Sequence, residues 1–348
     1  MIDLRSDTVT IPNRTMLETI LTASMEDDGR RAEDGSGGDE TVKKLEQLAA
    51  SLMGKEEAVL FPTGTMANTA ALLSVCSPKD KVLVDEIMHM YATEKTAFDP
   101  CFGQLIPCFY RLTKDGLPDL NDLKRAISEN SPKLVCVENT HNFSGGTCLP
   151  PALLGEIAEI AHGLGIPVHM DGARLFNAAC ALGVKASELA APVDTVMFCL
   201  SKGLGAPIGS LLCGNADRMK LCRVLRKKLG GNMRQSGIIA APGLWALEHN
   251  IDRLAEDHKN AKLFAQILPS LTEKIKIGHP VVSNIVLLDI ADTGLTFKEF
   301  LAGITKRGVG AHLVPGYIRL VFNLNVNSEN TLMAARIIAD YANENAGN

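Results

Sequence analysis

From about residue 40, the sequence alternates between segments with helical periodicity and short apolar segments typical of buried strands. Residues 41–53 carry apolar side chains at helical spacing, and residues 58–61 form a short apolar run that ends at Pro62. Such alternation predicts an α/β fold in which helices cover a mostly parallel sheet. The same patterns predict further strands at 82–84, 134–137, 166–170, 193–200 and 209–213, and helices at 66–75 and 153–161.

The last third of the chain predicts a smaller α+β domain. Residues 244–271 have the pattern of one long, charged helix, which we expect to link two domains. The chain has 348 residues with 46% hydrophobic content, enough for a large core and two domains. We expect an N-terminal arm and a large domain over 1–245, and a small C-terminal domain over 246–348. Within the small domain, the patterns predict strands at 283–289 and 317–322 and a helix at 296–306.

Composition excludes several classes of protein. The net charge of −5 argues against a nucleic-acid surface, which would show a basic stripe. No apolar run approaches the roughly 18 residues that a membrane span needs, and the first residues lack the pattern of a signal peptide. The nine cysteines include no C-x-x-C pair, so we expect free, mostly buried thiols in the cytoplasm.

Two polar residues directly follow predicted strands and indicate a cofactor. Asp171 ends the run 166–170, and Lys202 follows the run 193–200. In an α/β sheet, ligand-binding groups gather at the carboxyl ends of the strands. A lysine there can form a Schiff base with an aldehyde cofactor, and an aspartate can keep a pyridine nitrogen protonated. The pair therefore predicts pyridoxal phosphate (PLP) and an enzyme.

The segment Thr63-Gly-Thr65 follows a predicted strand and precedes a predicted helix, so its backbone N–H groups can hold a phosphate. An ordinary strand-to-helix turn has the same pattern, and the segment matches neither Walker A nor G-x-G-x-x-G. Ser201, beside Lys202, either adds a hydroxyl to the same phosphate or caps the following turn.

Several histidines follow strands and are candidates for contact with the cofactor ring. His89 has a flat imidazole that can stack on the ring and relay protons near neutral pH. Glu138 and Asn142 are equally well placed to reach the cofactor edge, and His141 is a weaker candidate. His169 alternates with Asp171 along a strand, so it either faces the site or packs within the sheet.

A substrate carboxylate is best bound by arginine, because the guanidinium fork donates to both oxygens. Arg174, Arg234 and Arg319 lie near apolar runs, although each could instead pair with one of the 40 acidic residues. Arg319 lies inside an apolar strand, where a surface charge is hardest to explain.

Ordered motifs over nearly the whole chain resemble those of the low-specificity L-threonine aldolases, which belong to the β-eliminating-lyase group of fold-type-I PLP enzymes. The resemblance implies an aminotransferase-like fold with a mostly parallel seven-stranded sheet. It also implies an amino-acid substrate and a homotetramer with active sites at dimer interfaces. The motifs that carry it are Asp3-Leu-Arg-Ser-Asp-Thr-Val-Thr10, Phe61-Pro-Thr-Gly-Thr-Met-Ala-Asn68, Glu138-Asn-Thr-His-Asn142, Asp171-Gly-Ala-Arg-Leu-Phe-Asn177, Ser201-Lys-Gly-Leu-Gly205 and Met233-Arg-Gln-Ser-Gly237.

The resemblance also implies a role for individual residues. The Schiff base falls on Lys202, the pyridine partner on Asp171 and ring stacking on His89, and these three form the expected catalytic set. Arg234 would reach the phosphate from the neighbouring subunit. The complete cofactor-binding set that we expect is Gly64, Thr65, His89, Glu138, Asp171, Arg174, Ser201, Lys202 and Arg234. The substrate carboxylate is assigned to Ser6, Arg174 and Arg319, and no metal is expected.

The chain departs from the family pattern around the substrate. A short family segment with a tyrosine is replaced by the polar, glycine-rich stretch 27–38, part of a predicted surface or active-site loop over 26–39. A family loop whose histidine contacts the substrate hydroxyl is shortened to residues 129–133. The expected reaction is retro-aldol cleavage of a β-hydroxy-α-amino acid to glycine and an aldehyde. One alternative is PLP-dependent β-elimination or other chemistry on a more polar amino acid selected by Arg30, Arg31 or Glu94, and another is a non-catalytic PLP carrier.

Overall fold

A computed structural model describes residues 1–32 and 37–345 of the chain. Its strands are β1 (Ile2–Asp3), β2 (Glu57–Phe61), β3 (Lys81–Val84), β4 (Ile106–Phe109), β5 (Leu134–Glu138), β6 (Val168–Asp171), β7 (Thr195–Cys199), β8 (Ser210–Gly214), β9 (Lys276–Ile277), β10 (Ile285–Asp289), β11 (Val309–Gly310), β12 (His312–Val314) and β13 (Tyr317–Val321). Its helices are α1 (Arg14–Glu18), α2 (Glu40–Met53), α3 (Gly64–Leu73), α4 (Leu120–Asn130), α5 (Pro151–His162), α6 (Leu175–Leu182), α7 (Ala186–Ala190), α8 (Ala216–Lys228), α9 (Gly237–His249), α10 (Leu254–Leu271), α11 (Phe297–Lys306) and α12 (Ser328–Asn345).

A seven-stranded sheet with the order β2-β8-β7-β6-β5-β3-β4 forms the centre of the large part of the molecule. The strands from β7 to β4 in this order pair in parallel, whereas β8 pairs antiparallel with both β7 and β2. β5 and β7 are buried along their whole length, as expected for strands covered by helices on both faces. The predicted mostly parallel seven-stranded sheet is confirmed.

Strand β4 is the member of this sheet that the sequence patterns did not predict. It lies at the edge, pairs with β3 alone, and exposes Ile106 while burying Cys108. It also contains Pro107, a residue that edge strands tolerate and central strands do not. A short, half-exposed run with a proline gives neither a buried-strand pattern nor a clean alternation.

The prediction of one long helix over 244–271 is wrong. The chain forms α9 and α10, with a turn at residues 250–253 between them. Asn250 is buried in this turn and its side-chain amide donates to the carbonyl oxygen of Leu204 at 2.7 Å. The turn contains neither glycine nor proline, so the sequence offers no helix-breaking residue there. Asn250, the C-cap of α9, is thus tied to the loop after β7 at the point where α9 ends.

The smaller part contains an antiparallel sheet with the order β12-β13-β10-β9, packed with α10, α11 and α12. The N-terminal arm crosses to it: β1 pairs in parallel with β11, and Leu4 is fully buried in the smaller core. The predicted division between residues 245 and 246 falls inside α9. Among the described residues, no helix is long and apolar enough to cross a membrane.

Candidate active site

A cavity lies at the carboxyl ends of β5, β6 and β7, where the arm and the smaller part meet the central sheet. Three regions of the chain contribute to it: the arm, the ends of central strands, and β13. Opposite charges and hydroxyl groups converge there, which is the usual character of a binding site for a polar ligand. The lining residues are Ser6, Thr8, His89, Glu138, Thr140, Asn142, Asp171, Ala173, Arg174, Lys202 and Arg319.

Lys202 and Asp171 face this cavity together. Asp171 is the last residue of β6 and is buried; its carboxylate accepts the backbone N–H of Ala173 and the side-chain amide of Asn68, both at 3.0 Å. Lys202 lies in the loop after β7 and is half-buried. Within residues 1–32 and 37–345, its amine makes no hydrogen bond or ion pair. A buried carboxylate and a free amine therefore share one cavity.

Glu138 holds two segments that border the cavity. Its carboxylate accepts the backbone N–H of His89 at 2.7 Å through one oxygen and that of Asn142 at 2.8 Å through the other. Both oxygens are thus used on the backbone, so Glu138 fixes the segments that carry His89 and Asn142. Burial raises the pKa of Glu138, although the neighbouring His141 acts in the opposite direction.

The other two candidate histidines lie within the protein. His141 is buried, with Nε2 at 3.2 Å from an Asp85 carboxylate oxygen. Burial opposes its charge, but Glu138 and Asp85 together raise the pKa of His141 to about 9. His169 is fully buried in the sheet and contacts Asn68 and the Thr195 hydroxyl. It therefore packs within the sheet and does not face the cavity.

Two buried arginines also line the cavity. The Arg174 guanidinium donates to both oxygens of Asp7, at 2.7 and 2.8 Å, and to the Asn142 side-chain oxygen at 3.2 Å. Arg319 donates to the same Asn142 oxygen at 2.7 Å. Burial, with Arg174 nearby, lowers the pKa of Arg319 to about 10. An anion bound here would relieve two crowded cations.

Asp7 is the residue of this group that the sequence reasoning missed. It is fully buried; burial alone would raise its pKa, but Arg174 reverses this and lowers it. The signal was present in the motif Asp3-Leu-Arg-Ser-Asp-Thr-Val-Thr10, where only Ser6 was assigned. Ser6 lines the cavity, and its hydroxyl oxygen also accepts the Thr8 N–H at 3.2 Å.

The candidate phosphate cup lies at the start of α3. The Thr63 hydroxyl accepts the Met66 N–H, so Thr63 is the N-cap and Gly64 the first helical residue. A β-carbon on Gly64 would come within 2.7 Å of the Met197 methyl group and 3.0 Å of Cys199 Sγ, at the end of β7. This close approach brings the first N–H groups of α3, which have no partner inside the helix, near the segment that leads to Ser201.

Arg234 does not border the cavity. Its side chain is 60% exposed and lies 3.3 Å from Asp27.

Of the predicted loop 26–39, residues 33–36 lie outside the described residues. The preceding part is anchored, because Asp28 is buried in an ion pair with Arg226 at 2.9 Å. Residues 129–133 directly precede β5, whereas Glu138 is its last residue. The stretch therefore lies at the opposite end of this strand from the cavity.

Comparisons with known proteins identify the family. The sequence profile of the Beta-eliminating lyase family matches residues 3–293. The chain belongs to this family. It is 43% identical over 273 residues to the low specificity L-threonine aldolase of Escherichia coli strain K12, which covers 77% of this chain and 79% of that protein. It is 37% identical over 318 residues to low-specificity L-threonine aldolase 1 of Arabidopsis thaliana, covering 88% and 87% of the two chains.

Solved structures agree on the fold. The threonine aldolase of Leishmania major superposes with a TM-score of 0.80 at 18% identity, covering 98% of this chain and 100% of that one. At this identity the similarity shows the fold alone. The family assignment makes the chain a PLP-dependent lyase, as the sequence predicted.

The donors of the cavity fit PLP. The cavity contains a free amine for the aldehyde and a buried carboxylate for the pyridine nitrogen. The expected phosphate residues Gly64, Thr65 and Ser201 do not line it; the start of α3, which favours a phosphate, lies against the end of β7. Among the described residues, two buried polar atoms on its lining have no hydrogen-bond partner: Thr140 Oγ1 and Arg319 Nε. Buried polar atoms without partners are rare in proteins, and these two are available to a polar ligand.

Proposed function

We propose that the protein cleaves a β-hydroxy-α-amino acid of the L-threonine or L-allo-threonine type to glycine and an aldehyde. The observation that carries the proposal is the placement of Lys202 and Asp171 in one cavity with two buried arginines. The threonine aldolases of Escherichia coli and Arabidopsis thaliana, similar over most of the chain, support this reaction. A non-catalytic PLP carrier would not need the carboxylate that keeps the pyridine nitrogen protonated.

The cofactor side of the cavity has three parts. When bound, PLP supplies an electron sink for the electron pair of a broken bond at Cα. Lys202 holds the cofactor aldehyde through its free amine, and Asp171 keeps a proton on the pyridine nitrogen. The first N–H groups of α3, at Gly64 and Thr65, bind the phosphate together with the Ser201 hydroxyl.

His89 has two roles in the proposal. Its ring would pack against the bound cofactor, and the bond from its backbone N–H to Glu138 fixes the segment that carries it. It also accepts the proton of the β-hydroxyl group as the Cα–Cβ bond breaks, which a neutral imidazole can do near physiological pH.

The substrate carboxylate binds beside the two buried arginines. Arg319 binds it directly, since its Nε is unpartnered among the described residues. Arg174 is already held by Asp7 through two bonds and by Asn142 through a third, so it contributes charge and its two remaining N–H groups. The Ser6 hydroxyl completes the set. Fixing the carboxylate determines which Cα bond is aligned for cleavage.

Arg234 supports an oligomeric site. We propose that it binds the phosphate of the neighbouring subunit in a homotetramer, because it is exposed and outside its own cavity. Large apolar side chains are exposed nearby, on α9 and on the segments that pack against it: Ile238 is 45% exposed and Leu21 is 85% exposed. Exposed apolar surface of this kind favours a subunit interface.

All nine cysteines are free thiols, which supports a cytoplasmic location.

The alternative is β-elimination or other side-chain chemistry on a more polar amino acid. It is motivated by the short stretch 129–133, which does not border the cavity of its own subunit. Two of the residues proposed to select a polar substrate are engaged elsewhere. Arg31 pairs with Glu46 at 2.6 Å, and the Glu94 side chain is only 8% exposed and faces His89. These contacts favour the aldol reaction.

The products separate the two reactions. Purified protein reconstituted with PLP is incubated with L-threonine and with L-allo-threonine, and glycine, acetaldehyde, 2-oxo acid and ammonia are measured. The proposal expects equal amounts of glycine and acetaldehyde. A 2-oxo acid with ammonia would instead establish elimination, and turnover of other amino acids alone would move the substrate.

A further inference from the structure

Two buried side chains beside His89, those of Glu94 and Asn68, have no part in the function proposed above. Glu94 ends the π-helical turn Met90–Glu94 that directly follows His89. The turn is closed by the Lys95 N–H, which donates to the Met90 carbonyl oxygen at 3.0 Å. It places an oxygen of the Glu94 carboxylate 3.4 Å from Nδ1 of His89. Single π turns are rare in proteins and are frequent at functional sites.

Glu94 is directed at protein groups rather than at the cavity. Its side chain is 8% exposed, and the residue does not line the cavity. A buried carboxylate is costly unless it is paired or hydrogen-bonded. Its side-chain partners among the described residues are His89 and the amide nitrogen of Asn68, at 3.2 Å. The carboxylate therefore acts on His89 and Asn68, not on a ligand.

Asn68 joins this carboxylate to the cofactor side of the cavity. The same amide nitrogen donates to Asp171 at 3.0 Å, while the amide oxygen lies 3.1 Å from Nε2 of His169. Burial lowers the pKa of His169 to about 4, so this ring is neutral and carries one proton. That proton lies on Nε2 and is donated to Asn68, while Nδ1 accepts the Thr195 hydroxyl at 2.8 Å. The amide orientation of Asn68 is thereby fixed, with its NH₂ group towards both carboxylates.

The three ionisable groups form a compact unit. The nearest side-chain atoms of His89, Glu94 and Asp171 all lie within 4.8 Å of one another. Two carboxylates so close together repel unless each has a cation or a donor. Asn68 donates to both, Asp171 faces the cavity, and Glu94 faces the imidazole. The two carboxylates therefore share Asn68, and each has a second partner: the His89 ring for Glu94 and the Ala173 N–H for Asp171.

We infer that Glu94 is a positioning residue, which holds the Nδ1–H of His89 so that Nε2 faces the cavity as the proton acceptor. The inference rests on the proposed role of His89 as the base. A third group that orients a catalytic imidazole fixes both the tautomer and the direction of the ring. The Asn68 amide donates to both Glu94 and Asp171. One side chain therefore helps to hold the partner of the base and the partner of the pyridine nitrogen.

Three acidic groups face the His89 ring: Glu94 in its own turn, Glu138 at the end of β5 and Asp171 at the end of β6. Burial acts to lower the pKa of His89, but Glu94, Asp171 and Glu138 outweigh it and raise the pKa. Glu94→Gln removes one charge and keeps the shape of the side chain. It should therefore lower the pKa of His89.

The test measures the titration of His89 by NMR in the cofactor-free protein, with the resonance assigned from a His89→Asn variant. Glu94→Gln is compared with Glu94→Asp and with Glu86→Gln, an exposed glutamate that precedes His89 on the same segment. We expect Glu94→Gln to lower the His89 midpoint, Glu94→Asp to restore part of it, and Glu86→Gln to leave it unchanged. An unchanged midpoint in Glu94→Gln would overturn the inference.

Kinetics of the PLP-loaded variants complete the test. In Glu94→Gln, kcat should fall roughly 10- to 100-fold, as for partners that orient metal-bound imidazoles, with little change in KM. The limb of the pH profile that reports His89 should move to lower pH, and the visible absorbance of the bound cofactor should remain. If the wild-type protein releases no aldehyde but the titration still shifts, the proposed function fails while the positioning role stands.

Discussion

The two sides of the cavity are built in different ways. The proposed cofactor side comes from one sheet: Asp171 ends β6 and Lys202 follows β7, and the proposed phosphate residue Gly64 starts the helix after β2. The carboxylate side is assembled from three distant parts of the chain, with Asp7 in the arm, Arg174 before α6 and Arg319 in β13. Strand ends of one sheet are fixed by the fold itself. The carboxylate side depends on the arm and the smaller part docking correctly.

This difference predicts that changes on the two sides fail in different ways. Changes on the cofactor side should remove the chemistry or the cofactor and leave the fold intact. Changes on the carboxylate side should alter stability and substrate affinity, because buried charges hold the parts together.

The largest effect is expected for Lys202→Ala. Activity should fall by roughly 10³-fold or more, as when a covalent catalytic group is removed. The free energy of unfolding should change little, since the amine has no partner among the described residues. Activity is measured by aldehyde release, and covalent attachment by borohydride reduction followed by peptide mass analysis. Attachment of PLP at another lysine would contradict the assignment.

Asp7→Asn should act mainly on stability. It leaves Arg174 buried without its anionic partner, which typically costs about 3–5 kcal/mol. The folded-state pKa of Asp7 is lowered, so its contribution is present above its unfolded pKa and is lost as the pH falls through the folded value. Urea unfolding at neutral and acidic pH measures both effects. Equal stability of the variant and the wild type at neutral pH would show that Asp7 does not hold Arg174.

Arg319→Lys should act mainly on substrate affinity. The planar fork is lost, and KM should rise roughly 10- to 150-fold, the value of about 1.5–3 kcal/mol for a hydrogen bond to a charged group. Steady-state kinetics measure KM and kcat separately. Arg307→Lys is the matched control, because Arg307 is paired with Glu344 in the smaller part and does not border the cavity. An unchanged KM in Arg319→Lys would place the carboxylate elsewhere.

Gly64→Ala should have the smallest effect. The added β-carbon would come within 2.7 Å of the flexible Met197 side chain and 3.0 Å of Cys199 Sγ, so α3 must shift slightly. We expect the dissociation constant for PLP to rise about tenfold, or roughly 1.4 kcal/mol, within the 1–3 kcal/mol range for overpacking. Fluorescence or absorbance titration measures it. Gly155→Ala is the control, since a β-carbon there meets nothing within 4 Å.

The sequence predicts features that depend on local patterns, such as strand ends, better than features that depend on contacts between distant residues. Strands such as β5 and β7 are continuous apolar runs, and the candidates Asn142 and Lys202, which follow them within four residues, line the cavity. His141 and Ser201 follow the same strands and do not line it. The end of α9 was not predictable, because it depends on a bond from Asn250 to a distant carbonyl. The partner of Arg174 was missed for the same reason: no local pattern links Asp7 to a residue that lies far along the chain.

Polar networks behind the cavity are also invisible to local patterns. The sequence makes Glu94 a candidate for selecting polar substrates. Spacing along the chain alone does not show whether a side chain faces a ligand or a neighbouring residue. The π-helical turn decides this by directing the carboxylate at His89. The role of Arg234 cannot be tested within one subunit, because its proposed partner, the phosphate, is bound by another subunit.

The most direct test of the account is the visible absorbance of the purified protein during titration with PLP, before and after adding L-threonine, in the wild type and in Lys202→Ala. We expect a yellow wild-type protein whose absorbance changes when L-threonine is added, and a Lys202→Ala variant that lacks this lysine-bound absorbance. A wild-type protein that stays colourless after titration, or an identical response in the two proteins, would contradict it.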